Sequence, residues 1–157
     1  MNDSTFPPSN LNSFLALCVG EWMSLRSCFE LTGGDDDWHT SERGDVTVRF
    51  CDALEGAIGR LEVVPPKGVA TNLLFEIDGG LKLTSVEGLN QTGQWLFWPD
   101  GSVELTLAQA GGAVVQERIW FTRPNLRLRS TTAVDSEGVP LQGSFCTDIR
   151  RVSKPAS

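Results

Sequence analysis

The chain has a single histidine, no long apolar run, no excess of positive charge, and no C-x-x-C pair among its four cysteines. Each shortage removes a class of function. Apolar runs such as residues 16–19 and 96–98 fall far short of the roughly 20 residues that a membrane-spanning helix needs. The first ten residues carry neither a basic stretch nor an apolar one, so no signal peptide is expected and the reading points to the cytoplasm. With 20 acidic against 13 basic residues the formal charge is -7, the wrong sign for a nucleic-acid partner, whose affinity rests on counterion release. His39 stands alone and the cysteines lack zinc-ligand spacing, so no metal site is expected. Without a secretory signal, Cys18, Cys28, Cys51 and Cys146 read as reduced thiols with packing roles.

What remains is an ordinary globular composition, 40% hydrophobic and 21% charged, in 157 residues, enough for one domain. Residues 1–9 are polar, contain Pro7-Pro8, and read as a loose leader. Leu11, Phe14, Leu15 and Cys18 then recur at helical spacing, with Ser9 or Asn10 as the cap and Gly20 as the stop. After Gly20 the period becomes two, predicting a strand to about Leu31. A Gly/Asp-rich loop over 33–37 and a strand over 45–50 follow. Leu54, Ala57, Ile58 and Leu61 predict a second short helix over 52–62, capped by Asp52 and broken by Pro65-Pro66. Seven strands are predicted beyond Thr71, over 72–77, 81–86, 94–98, 102–108, 113–122, 125–134 and 141–150. Tight turns such as Pro99-Asp100-Gly101 and Gly111-Gly112 join them as hairpins. A meander of eight to ten strands closes most naturally into a barrel, which removes exposed edges. The expected fold is therefore all-β, an up-and-down antiparallel barrel with an N-terminal helix and a second short helix.

More than half of the basic residues lie between Arg118 and Lys154, so an acidic protein has a cationic last third suited to an anionic ligand. Arg127 and Arg129 alternate with Leu126 and Leu128, which puts both guanidiniums on one face of one strand. Periodicity leaves two orientations open: leucines inward and arginines in water, or the reverse. In the second case two guanidiniums about 7 Å apart would suit two carboxylates of one ligand. Glu117 and Asp148 lie in neighbouring strands, and spacing does not decide whether they face solvent or the arginines.

Residues 117–129, Glu-Arg-Ile-Trp-Phe-Thr-Arg-Pro-Asn-Leu-Arg-Leu-Arg, resemble the signature of the S-type phycobiliprotein lyases. The run Phe145-Cys146-Thr147-Asp148-Ile149-Arg150 is similar to that family's closing strand. Gly20-Glu21-Trp22, with Arg26 four residues on, is similar to its start, a beginning shared with lipocalins, whose fold the family resembles. The resemblance implies a lipocalin-like or fatty-acid-binding-protein-like barrel that binds a phycobilin, such as phycocyanobilin or phycoerythrobilin, as substrate. It further implies attachment of that bilin by a thioether bond to a cysteine of a phycobiliprotein subunit. By position, Arg127, Arg129, Arg26 and Phe75 are implied to bind the bilin, and Glu117 and Asp148 to act as acids near its pyrrole nitrogens. Trp120 falls on the face opposite Glu117 and reads as structural.

The chain departs from the family pattern at Asp148, one methylene shorter than the usual glutamate. It departs again at Leu74-Phe75-Glu76, which stands where the family carries a tryptophan-bearing segment. Other readings are a non-catalytic carrier of a bilin or fatty acid, and a partner subunit of a heteromeric lyase. A homologous lyase subunit or a second copy of the chain is a further candidate partner. A hydrolase is disfavoured, since His39 falls in a predicted loop and no Gly-x-Ser-x-Gly is present.

Overall fold

Period-two alternation carries through almost the whole chain in the computed structural model, which describes residues 6–31, 39–52 and 55–152. The order is α1 (Leu11–Cys18), β1 (Gly20–Glu30), β2 (His39–Cys51), β3 (Ala57–Val64), β4 (Thr71–Glu76) and β5 (Gly80–Ser85). Then come β6 (Asn90–Phe97), β7 (Val103–Ala108), β8 (Val114–Arg123), β9 (Leu126–Val134) and β10 (Pro140–Arg150). Each strand is antiparallel to its predecessor, and β10 returns to pair with β1, so ten strands form one closed barrel. Closure leaves no sheet edge for another chain to pair with.

The predicted first helix is present. Asn10 caps it: the Asn10 side chain accepts from the Ser13 amide at 2.8 Å, and Ser13 Oγ accepts from the Asn10 amide, a reciprocal capping box. Its buried stripe of Leu11, Phe14, Leu15 and Cys18 lies across the barrel end where β1 starts and β2 passes into β3. Below it Trp22, Phe75, Leu81, Val103 and Phe121 complete an apolar floor. The opposite end holds the β1–β2, β3–β4, β5–β6, β7–β8 and β9–β10 connections, and no α-helix covers it among the described residues. Pro8 is buried beside Gly101 of the β6–β7 turn, and Gly101 needs its positive φ of 87° there.

The second helix is a correction. The region predicted as helical over 52–62 contains β3, and apart from α1 the one helical segment among the described residues is a 3-10 turn at Ala110–Gly112. Ile58 and Leu61 satisfy a helical spacing, but Gly59, Leu61 and Val63 also alternate with Ile58, Arg60 and Glu62. Gly56 at φ 84° breaks any helix at its start. Gly59 faces the helix across the wall: a Cβ there would sit 2.9 Å from Leu15 Cδ1. The barrel needs a strand between β2 and β4, and closure decides the ambiguity. Similarly β2 begins at His39, six residues before the predicted strand, with the His39 ring stacked on Phe29 across the β1–β2 pair, centroids 4.9 Å apart. His39 is thus a strand residue. The loop predicted over 33–37 lies outside the described residues. No described helix is long and apolar enough to cross a membrane.

Candidate functional site

Strand register decides what faces the cavity. Arg127 pairs with Asp148, which pairs with Ser24; Arg129 pairs with Cys146, which pairs with Arg26. One strand further, Glu117 stands opposite Thr131 and Ile119 opposite Arg129. Since Trp22 and Ser24 are buried, this whole set points inward while Leu126 and Leu128 point out. Of the two orientations left open by periodicity, the reversed one is realised.

Arg127 Nε donates to Asp148 Oδ2 at 2.9 Å, and Arg129 Nε donates to the same oxygen at 2.7 Å. Arg129 Nη2 donates to Asp148 Oδ1 at 3.1 Å and to Ser24 Oγ at 3.3 Å. The remaining nitrogen, Nη1, lies 3.9 Å from Glu117 Oε2, whose own hydrogen bond comes from Thr131 Oγ1 at 2.9 Å. Burial alone would push the Asp148 carboxyl up. The hydrogen bond from Arg129 and the charges of Arg127 and Arg129 outweigh it and hold Asp148 below the usual aspartate range. Burial likewise works against the Arg129 charge, but Glu117 and Asp148 reverse it and keep the guanidinium firmly protonated. Two cations and two carboxylates thus share the inner wall of β8, β9 and β10.

The cluster is tied to the floor through one indole. The Arg127 guanidinium lies 4.9 Å from the Trp22 ring centroid, and the Arg150 guanidinium lies 4.2 Å from it. Trp22 Nε1 donates to the Cys18 carbonyl at 2.9 Å, which fixes the ring against the end of α1. Arg150 donates to the carbonyls of Leu17, Val19 and Pro124 and to Asn125 Oδ1, joining the helix terminus to the β8–β9 turn.

Two adjoining cavities occupy the interior. The deeper, about 200 Å³, has Phe14, Cys18 and Phe75 towards the floor, leucines and valines of β3–β8 on one side, and Glu117, Arg127, Arg129 and Thr131 on the other. The outer, about 490 Å³, is bounded by Ser24, Arg26, Arg43, Lys67 and Arg129, with Glu42 its one carboxylate. They share Val63 and Arg129. An apolar wall facing a cationic one, with positive charge at the mouth, suits an apolar molecule carrying carboxylates.

The structure therefore brings Arg127, Arg129, Glu117 and Asp148 together and places Arg26 at the mouth, exposed but on the inner face. Phe75 is 2% exposed and reaches the cavity from the opposite, apolar side. Trp120 faces outward, 5.3 Å from the Arg118 guanidinium. Ser24 and Thr131 join the site unexpected, although Ser24 alternates with Trp22 and Arg26 and Thr131 continues the inward series of Arg127 and Arg129; Trp22 and Arg150, known only as parts of the family-like runs, join it too. Burial raises the Cys18 and Cys146 thiols, which keeps both protonated and unreactive. Among the described residues no cluster of His, Cys, Asp and Glu could hold a metal ion.

A closed barrel with an acid–guanidinium cluster on one inner wall and apolar side chains on the other has the chemistry to receive an anionic organic ligand. The family model described as "CpeS-like protein" matches residues 82–151. A chromophore lyase CpcS/CpeS 1 from Paulinella chromatophora is 42% identical over 151 residues, covering 96% of this chain and 94% of the relative. A second protein of that name, from Trichodesmium erythraeum (strain IMS101), is 28% identical over 173 residues, covering 91% and 98%. The solved S-type phycobiliprotein lyase CPES from Guillardia theta superposes with a TM-score of 0.71 at 24% identity, over 92% of this chain and 94% of that one. The chain belongs to the CpcS/CpeS chromophore lyase family.

Proposed function

We propose that the chain binds a phycobilin non-covalently inside the barrel and transfers it to a cysteine of a phycobiliprotein subunit. The observation that carries this reading is the inward guanidinium cluster facing an apolar wall, in a chain of the chromophore lyase family. Arg129 and Arg26, at the junction and the mouth, take the bilin carboxylates. Phe75 and the leucines of β3–β8 cover the tetrapyrrole face. Glu117, which lines the cavity, stands near the pyrrole N–H groups, while Arg127 and Asp148 support the cationic wall.

In the reaction the acceptor's thiol adds across the ethylidene double bond of ring A. Sulfur bonds to the exocyclic carbon, and a proton adds to the ring, with no leaving group. The nucleophile belongs to the acceptor, so the barrel contributes orientation, worth several kcal/mol when reactants are held near attack geometry. A carboxyl group near the pyrroles favours the protonated, more electrophilic bilin. The whole of 1–157 acts as one bilin-binding domain, working in the cytoplasm, with the phycobiliprotein subunit and a homologous lyase subunit or second copy as protein partners.

The test is co-expression with bilin-synthesis enzymes and individual phycobiliprotein subunits, followed by zinc-enhanced fluorescence of denatured bands. A subunit band that fluoresces only when this chain is present is expected. Absence of such a band with every subunit contradicts the lyase reading.

A further inference from the structure

The two carboxylates that meet the arginines inside the barrel are placed differently. Glu117 borders the deeper cavity and keeps 24% of its side chain exposed. Asp148 borders neither cavity, has a side chain exposed to 0%, and spends both oxygens on arginine N–H groups. Proton transfer needs the donor within about 3.2 Å of the accepting atom or one water away. Arg127 and Arg129 stand between Asp148 and the cavity, so a ligand finds no free oxygen there.

Resting on the bilin reading above, we propose that Asp148 is a positioning residue: it acts through Arg129, whose guanidinium it holds by two nitrogens so that the third is offered to a ligand carboxylate, and it exchanges no proton with the bilin. Asp148 takes Arg129 Nε and Nη2 in a fork, and Ser24 Oγ accepts a second bond from Nη2. Nη1 is left without a hydrogen bond among the described residues. An arginine side chain is rich in rotamers, and fixing it before binding removes most of the ordering cost from the binding step.

Arg127 shares Asp148 without displacing Arg129. It is the more buried of the pair, with 6% of its side chain exposed against 20%, and its guanidinium is held over Trp22. Asp148 is hydrogen-bonded to both guanidiniums, and the second carboxylate, Glu117, stands 3.9 Å from Arg129 Nη1 on the cavity side without a hydrogen bond to it.

The experiment measures absorbance titrations of the wild-type protein and Asp148→Asn with phycocyanobilin and with its dimethyl ester. Removing the anchor should weaken free-acid binding by about ten-fold or more, since one partner of a buried charged pair is lost. Binding of the ester should change by less than about two-fold, and the band of the bound, protonated chromophore should persist. If Asp148→Asn does not fold, Arg127→Gln with Asp148→Asn removes the cation left unpaired while keeping Arg129, and the same result is expected of it. Equal losses for both ligands overturn the proposal, as does unchanged affinity with loss of the protonated-chromophore band. A folded wild-type protein that binds neither ligand contradicts the bilin reading itself, before the variants are compared.

Discussion

The barrel's two inner walls follow opposite rules. On the β3–β7 side the inward positions are Leu61, Val63, Leu73, Leu83, Leu105 and Leu107, and the outward ones include Arg60, Glu62, Lys82 and Glu104. On the β8–β10 and β1 side the inward positions are Glu117, Arg127, Arg129, Asp148 and Ser24, and the outward ones include Leu25, Leu126, Leu128, Phe145 and Ile149. The first wall is stabilised by apolar area removed from water. The second is held by charged hydrogen bonds centred on Asp148, whose loss would strand buried positive charge. Inverting the usual pattern on one wall is what converts a core into a receptor.

The contrast can be broken by deleting one side chain from each wall. Asp148→Ala should destabilise the fold by about 3–5 kcal/mol, since it leaves two arginines without their shared counter-charge. Leu105→Ala, 4% exposed in the native chain, should cost about 2 kcal/mol, the low end for a buried leucine, because it opens onto an existing cavity. Urea denaturation of the two variants measures both, and a larger loss for Leu105→Ala would reverse the ranking of the walls.

Acid sharpens the same comparison. The Asp148 carboxyl lies below its unfolded value of about 3.9, so its contribution is fully present above that pH and is lost as pH falls towards its folded value. In that window the unfolded chain binds the extra proton. Wild-type stability should therefore fall more steeply between pH 5 and about pH 3 than that of Arg127→Gln with Asp148→Asn. Equal slopes in pH-dependent urea unfolding would mean that Asp148 is not held ionised by its partners.

Legibility in the sequence followed the same division. Alternation and turn chemistry gave the strands of the apolar wall from Thr71 onward, and the i, i+3, i+4, i+7 stripe with Asn10 gave α1. The helix expected over 52–62 failed because Ile58 and Leu61 fit either period, and only closure of the barrel distinguishes them. For the charged wall, alternation showed that Arg127 and Arg129 share a face but not which face, since leucines alternating with arginines ordinarily bury the leucines. Resemblance to the lyase signature supplied the direction. The stack of Arg127 and Arg150 on Trp22 was out of reach, because it joins residues more than 100 positions apart through three-dimensional packing alone.

Titration of Arg129→Ala with phycocyanobilin tests the central claim most directly, because Arg129 is the cation shared by both cavities. The account predicts a folded variant whose absorbance no longer responds to the bilin at concentrations that saturate the wild-type protein. A folded Arg129→Ala that gives the wild-type titration curve would contradict it.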